Sequence, residues 1–179
     1  MTNRRSWISR GFTLVELMVV IAILAVLSAV AIVSFAKYRT RARTTEAYNM
    51  LGMIRMRQEA YRSEFSQYAT VSATTTTFWP ATVGRDPRDF MSGVPAEWTQ
   101  LGIRPTGPVY YQYMTVAGIP PTAPNIPGAV PTDLGFSTLA SPDMWWVAQA
   151  RGDLDGDGRL ALFETASFTN RVFVQNETE

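Results

Sequence analysis

The sequence predicts an α+β protein, with one long N-terminal α-helix packed against a small antiparallel β-sheet head. Three observations predict it. Phe12 to Ala36 is a continuous apolar run whose sole charge is Glu16. Apolar residues then recur at helical spacing as far as Tyr68. Beyond Tyr68 the helical pattern stops, and short β-rich segments follow among proline-rich connections. Four sections result: a basic peptide over 1–11, an apolar helix over 12–36, its amphipathic continuation over 37–68, and a globular head over 69–179.

The first section, MTNRRSWISRG, carries Arg4, Arg5 and Arg10 and no acid. The apolar run behind it exceeds the ~20 residues that cross a hydrocarbon core of ~30 Å. It is too long for the ~7–15-residue core of a secretory signal, and no small-x-small cleavage site follows promptly. A membrane span is expected, with the arginine-bearing end in the cytoplasm by the positive-inside rule and the remainder outside. Glu16 is the anomaly. An ionisable group within a span costs roughly 3 kcal/mol at the helix centre, less near an end, and usually has a partner. Two readings stand for it: a snorkelling carboxylate without function, or a group that meets a positive charge.

Gly11-Phe12-Thr13-Leu14-Val15-Glu16-Leu17-Met18, behind a short basic leader and ahead of a long apolar run, resembles the recognition sequence of type IV prepilins and pseudopilins. The resemblance is close from Arg10 to about Ala31 and looser to Tyr68. It implies a pilin-like fold, cleavage between Gly11 and Phe12 by a prepilin peptidase, and N-methylation of Phe12. It also implies that Glu16 recognises the new amine of a neighbouring subunit's Phe12. Physics agrees, since an unpaired charge buried in an apolar bundle costs several kcal/mol. One matched pair would also fix the axial stagger, much as one buried asparagine fixes coiled-coil register. Many pilins carry glycine and proline where this chain has Ala25 and Val33. Without those weak helix formers the helix should run on unbroken.

From Lys37 to Tyr68, Ala47, Met50, Leu51, Ile54, Tyr61, Phe65 and Tyr68 approximate one apolar helix face, which Gln58 interrupts. A helix from Phe12 to about Ser66 would be ~80 Å long. Lys37, Arg39, Arg41, Arg43, Arg55, Arg57 and Arg62 crowd the same stretch. Its aromatic residues read as core material, with Phe35 and Tyr38 as a membrane-interface belt.

In the head, Thr70–Thr77 (TVSATTTT) reads as loop, and Pro87 and Pro95 should keep any helix there short. Strands are expected at 109–116, 143–150 and 167–174. Pro120, Pro121, Pro124 and Pro127 mark an extended loop between the first two. Trp145 and Trp146 should point to opposite faces of their strand, one of them onto the helix.

Asp153-Leu-Asp155-Gly-Asp157-Gly158, ending at Glu164, matches the pattern of a calcium-wrapping loop. Calcium takes about six to eight oxygens. Asp153, Asp155 and Asp157 would converge on it, Arg159 would offer a backbone carbonyl, Glu164 would close the site, and Leu160 would tuck inward. The flanks read as strands, so a solvated acidic turn is the alternative. An ion bound by the folded head alone would stabilise it by mass action. The staple matters because the chain has no cysteine for a disulfide.

The lack of histidine and cysteine removes the histidine-dependent nucleophilic machines and thiolate zinc sites. With 16 basic and 15 acidic residues, bulk charge does not predict nucleic-acid binding. Three functions compete, none of them enzymatic. The first is a major or minor subunit of a type IV pilus serving adhesion, motility or DNA uptake. The second is a pseudopilin of a type II secretion system. The third is a non-polymerising, membrane-anchored calcium-binding ectodomain. The resemblance implies as partners other pilins, the prepilin peptidase and an inner-membrane assembly platform. It places the precursor in the inner membrane, head outward, and the product in a filament.

Overall fold

The computed structural model describes residues 11–82, 84–119 and 143–177. The leader up to Arg10 and the loop holding Pro120, Pro121, Pro124 and Pro127 lie outside the described residues. The class is α+β, as expected: a long helix and a four-stranded antiparallel sheet. Helix α1 spans Leu14–Phe65, 52 residues, and passes through Ala25 and Val33 without interruption. Leu14–Phe65 contains no proline, and its single glycine, Gly52, is carried inside the helix without ending it. The chain divides into two units at Arg39–Thr40.

In the first unit, Leu14–Ile32 is a 19-residue segment of mean hydropathy 2.8 with no part buried. It is long and apolar enough to cross a membrane.

The second unit holds the head. Its sheet is a meander in the order β1 (Gln112–Gly118), β2 (Trp145–Gly152), β3 (Ala161–Ala166) and β4 (Phe173–Gln175). A short helix α2, Ala96–Leu101, follows Pro95 and stops at Gly102, whose φ of 76° suits glycine. The first two strands lie two to three residues later than expected. Val109 is instead a lone bridge partner of Arg88.

The third expectation fails more fully. Strand β3 occupies Ala161–Ala166, and its first four residues, up to Glu164, were assigned above to the acidic loop. Of the expected 167–174 strand only Phe173 and Val174 fall in a strand, β4, which runs Phe173–Gln175. The reason is visible in the alternation of ALFETA. Ala161 and Phe163 join the helix-side core, and Leu162 and Ala166 join the other face. Gly152 pairs with Ala161, so the acidic loop is a hairpin connection of eight residues, 153–160.

The helix-side core contains Ala47, Met50, Leu51 and Ile54 of α1, packed with Tyr111, Tyr113, Trp146 and Phe163. Phe163 meets Tyr111 and Tyr48 edge-on, with centroids 5.5 and 5.3 Å away. Trp146 lies in this core, while Trp145 lies on the opposite face with Met114, Val116 and Val147. The indole of Trp145 covers Gly118, where any Cβ would overlap it. The apolar stripe ends sooner than its spacing suggests. Phe65 is exposed, and Tyr68 is buried from beyond the helix end.

Gln58, which interrupts the stripe, is fully buried and paired. Its Nε2 donates to the Ala69 carbonyl (2.8 Å) and to Thr115 Oγ1 (3.2 Å), and its Oε1 accepts from the Ala69 amide (2.9 Å). A buried amide bonded at both ends fixes where the chain returns after α1.

Candidate functional site

Gly11, Phe12 and Thr13 precede the helix, and Phe12 is 82% exposed. Thr13 Oγ1 accepts from the Glu16 amide (3.2 Å), and the Glu16 carboxylate reaches back to the Thr13 amide (3.0 Å) and hydroxyl (2.7 Å). This is a capping box, a threonine and a glutamate three residues apart that satisfy each other's orphan amides. All three bonds to the carboxylate and hydroxyl leave Glu16 Oε1 without a hydrogen bond among the described residues. Glu16 therefore holds the helix start. The signal was in the sequence, in the Thr-x-x-Glu spacing ahead of an apolar run.

The acidic loop brings together three of its five expected ligands. Carboxylate oxygens of Asp153, Asp155 and Asp157 lie within 4.8 Å of one another. Backbone amides hold them in place. Asp153 accepts from Gly156 (2.6 Å) and Gly158 (3.1 Å), Asp155 from Asp157 (3.1 Å), and Asp157 from Arg159 (2.8 Å). Gly156 and Gly158 have φ of 84° and 89°, the left-handed region these tight turns need. Arg159 is exposed on the loop.

Glu164 is a correction. It sits within β3, fully buried, opposite Gln149, whose Nε2 donates to its Oε2. A side chain locked into the sheet does not close the loop. Leu160 is a second correction: it is half-buried, and Leu154 is the leucine that enters the core. The site thus fits a hard cation in part, with three carboxylates but no bidentate closing glutamate.

Sequence reading missed Glu46. Its carboxylate accepts from the Tyr110 amide (2.9 Å), the Tyr111 amide (3.4 Å) and the Tyr113 hydroxyl (2.8 Å). Burial pushes the Glu46 carboxyl above its ordinary value, and the bonds from Tyr113, Tyr110 and Tyr111 and the charge of Arg43 pull against that rise. Burial and the nearby Glu46 charge push the Tyr113 phenol well up, so it stays a donor. Arg43 stacks over the Tyr110 ring at 4.2 Å and donates to the Leu154 carbonyl (3.3 Å). Helix α1 thereby grips both the approach to β1 and the acidic loop. No local pattern announces this, because the partners lie 64 or more residues away.

Residues 8–32 match the family model described as the prokaryotic N-terminal methylation motif. The chain is 41% identical over 61 residues to the type IV major pilin protein PilA of Myxococcus xanthus, covering 34% of this chain and 28% of that one. It is 44% identical over 45 residues to the fimbrial protein EcpC of Eikenella corrodens, covering 25% and 29% respectively. A fimbrial protein of Moraxella nonliquefaciens is 46% identical over 41 residues, covering 23% and 27%. The matched region thus spans under a third of these relatives' lengths. No solved structure matches. The chain carries a prepilin-type methylation motif on an apolar helix and is similar in that region to pilins and fimbrial proteins.

Proposed function

We propose that the chain is a structural, non-enzymatic subunit of a type IV pilus or a related filament. A prepilin peptidase cuts after Gly11, Phe12 is N-methylated, and Leu14–Ile32 anchors the precursor in the membrane with the head outward. Subunits then leave the bilayer at an assembly platform by packing these helices together. One observation carries this reading. The methylation motif opens a helix whose apolar side chains are uncovered from Leu14 to Ile32, with one carboxylate at its start. Such a surface is stable only in lipid or among copies of itself. The names of the relatives favour a pilus over a secretion pseudopilus. The test is N-terminal sequencing of the membrane fraction and electron microscopy of sheared filaments. N-methyl-Phe12 is expected in the wild type. Glu16→Ala as sole subunit should still be cleaved but should give few or no filaments, and normal filaments from it would overturn the pairing role.

The acidic loop supports a second element of the proposal, a weak calcium staple in the head. Three carboxylates without a closing glutamate suit a Kd on the order of 0.1–1 mM, the range of extracellular modules. Isothermal titration of the chain with calcium tests it, and no heat at millimolar calcium would remove the staple.

A further inference from the structure

The arginines of α1 differ in what they touch. Arg43, Arg55 and Arg62 bond to Leu154, Thr165 and Tyr68. Arg39 is exposed and makes no hydrogen bond or ion pair with any described residue. It instead rims a shallow notch of about 470 Å³ whose other walls are Ala31, Ile32 and Phe35. These positions follow the four-residue spacing of one helix face. Phe35 and Tyr38 are 68% and 71% exposed.

Position along the axis gives the notch its meaning. The apolar span ends at Ile32. At 1.5 Å per residue, Phe35 lies ~5 Å and Arg39 ~10 Å beyond it. The polar layer of a bilayer is roughly 5–8 Å deep on each side. The aromatic rings fall in that layer, and the guanidinium reaches its outer edge. The notch is therefore amphiphilic in the same order as a phospholipid, with apolar wall toward the span and cation above it. A planar guanidinium pairs with phosphate through two parallel bonds.

We propose that Phe35 and Arg39 form a binding site for an anionic phospholipid headgroup at the C-terminal end of the span. The acyl chain lies along Ala31, Ile32 and Phe35, and the phosphate meets Arg39. The inference rests on the span but not on cleavage or polymerisation. The site holds the subunit at a fixed depth in the bilayer.

Native mass spectrometry of the full chain in detergent tests this, with phosphatidylglycerol and phosphatidylcholine of identical acyl chains as competing probes. Wild type should retain phosphatidylglycerol roughly fivefold more than phosphatidylcholine, the gain expected from one cation near the surface. Arg39→Gln should bring the ratio close to one, and Phe35→Ala should lower retention of both lipids. Flotation of reconstituted protein with liposomes is the control for insertion and should be unchanged in both variants. Equal retention by wild type, or an unchanged ratio in Arg39→Gln, overturns the site while leaving the span intact. A wild-type dimer that Arg39→Gln dissolves, without lipid preference, would assign the face to a second copy instead. Failure to float would overturn the span, and the lipid site with it.

Discussion

Leu24 and Leu51 are the same residue on the same helix, yet Leu24 is 55% exposed and Leu51 is completely buried. The contrast extends to the acids. Glu46 of the second unit has two amides and a phenol from its own chain around it, whereas Glu16 of the first bonds, among the described residues, to Thr13 alone. The head satisfies its apolar and charged groups internally. Among its described residues, the first unit leaves the apolar side chains uncovered and one Glu16 carboxylate oxygen without a hydrogen bond. Burying a leucine is worth roughly 2 kcal/mol, so an uncovered helix of this composition is a strong demand for lipid or for copies of itself.

That contrast breaks most directly through paired truncations. Leu51→Ala should destabilise the head by about 3 kcal/mol, within the range for buried leucines. This would appear as a melting temperature lower by roughly 10 °C in near-UV circular dichroism. Leu24→Ala should leave the same melting curve within about 0.5 kcal/mol, as exposed substitutions do. Equal losses from both would mean that the span contributes to the head's stability.

Glu46 sharpens the comparison next. Glu46→Ala strips the partners from two backbone amides and the buried Tyr113 hydroxyl, and should cost about 2–3 kcal/mol. Glu46→Gln keeps an acceptor and should cost less. The two differ from wild type in pH dependence. Burial raises the Glu46 pKa in the folded state above the unfolded value. Between those two values the native protein binds more protons than the unfolded chain, so this group's contribution falls as pH rises through the window. Wild type should therefore gain on Glu46→Gln as pH is lowered from 7 toward 4.5 in denaturant titrations. A difference independent of pH would mean that burial does not disfavour the carboxylate.

Legibility in the sequence follows the same division. The first unit could be read because its signals are local: an apolar run, a lone acid, a glycine before phenylalanine. Trp145 and Trp146 could be placed on opposite faces because strand geometry alternates over adjacent residues. Strand β3 was missed because Glu164 completes a calcium-loop pattern, and that match absorbed the alternation of Ala161, Phe163 and Thr165. Gln58 looked like a flaw in a stripe for a related reason. Its partners, Ala69 and Thr115, are set by where the chain returns after the helix. Glu46 gave no signal at all, since its value depends on three tyrosine positions in a distant segment.

The acidic loop lies between these cases, local in sequence yet dependent on the fold for closure. Asp155→Ala should leave the melting curve unchanged in chelator. At free calcium about fivefold above Kd it should forfeit roughly 1 kcal/mol of ligand-linked stability. A calcium-independent loss would show that the amide bonds within the loop, rather than an ion, give Asp155 its weight.

The smallest expected effect separates the two roles of Glu16. Thr13→Ala removes the helix cap but leaves the carboxylate and its charge in place. Loss of such a cap costs about 1 kcal/mol. In the isolated subunit the amide of Glu16 should exchange with solvent roughly fivefold faster, with the rest of α1 unchanged. Filaments should still form if the proposed pairing holds, since the Glu16 carboxylate is intact, and indeed freer to turn. If Thr13→Ala abolished filaments as completely as Glu16→Ala, the capped helix start itself would be what a neighbour requires. The first unit would then be more self-sufficient than its exposed surface implies.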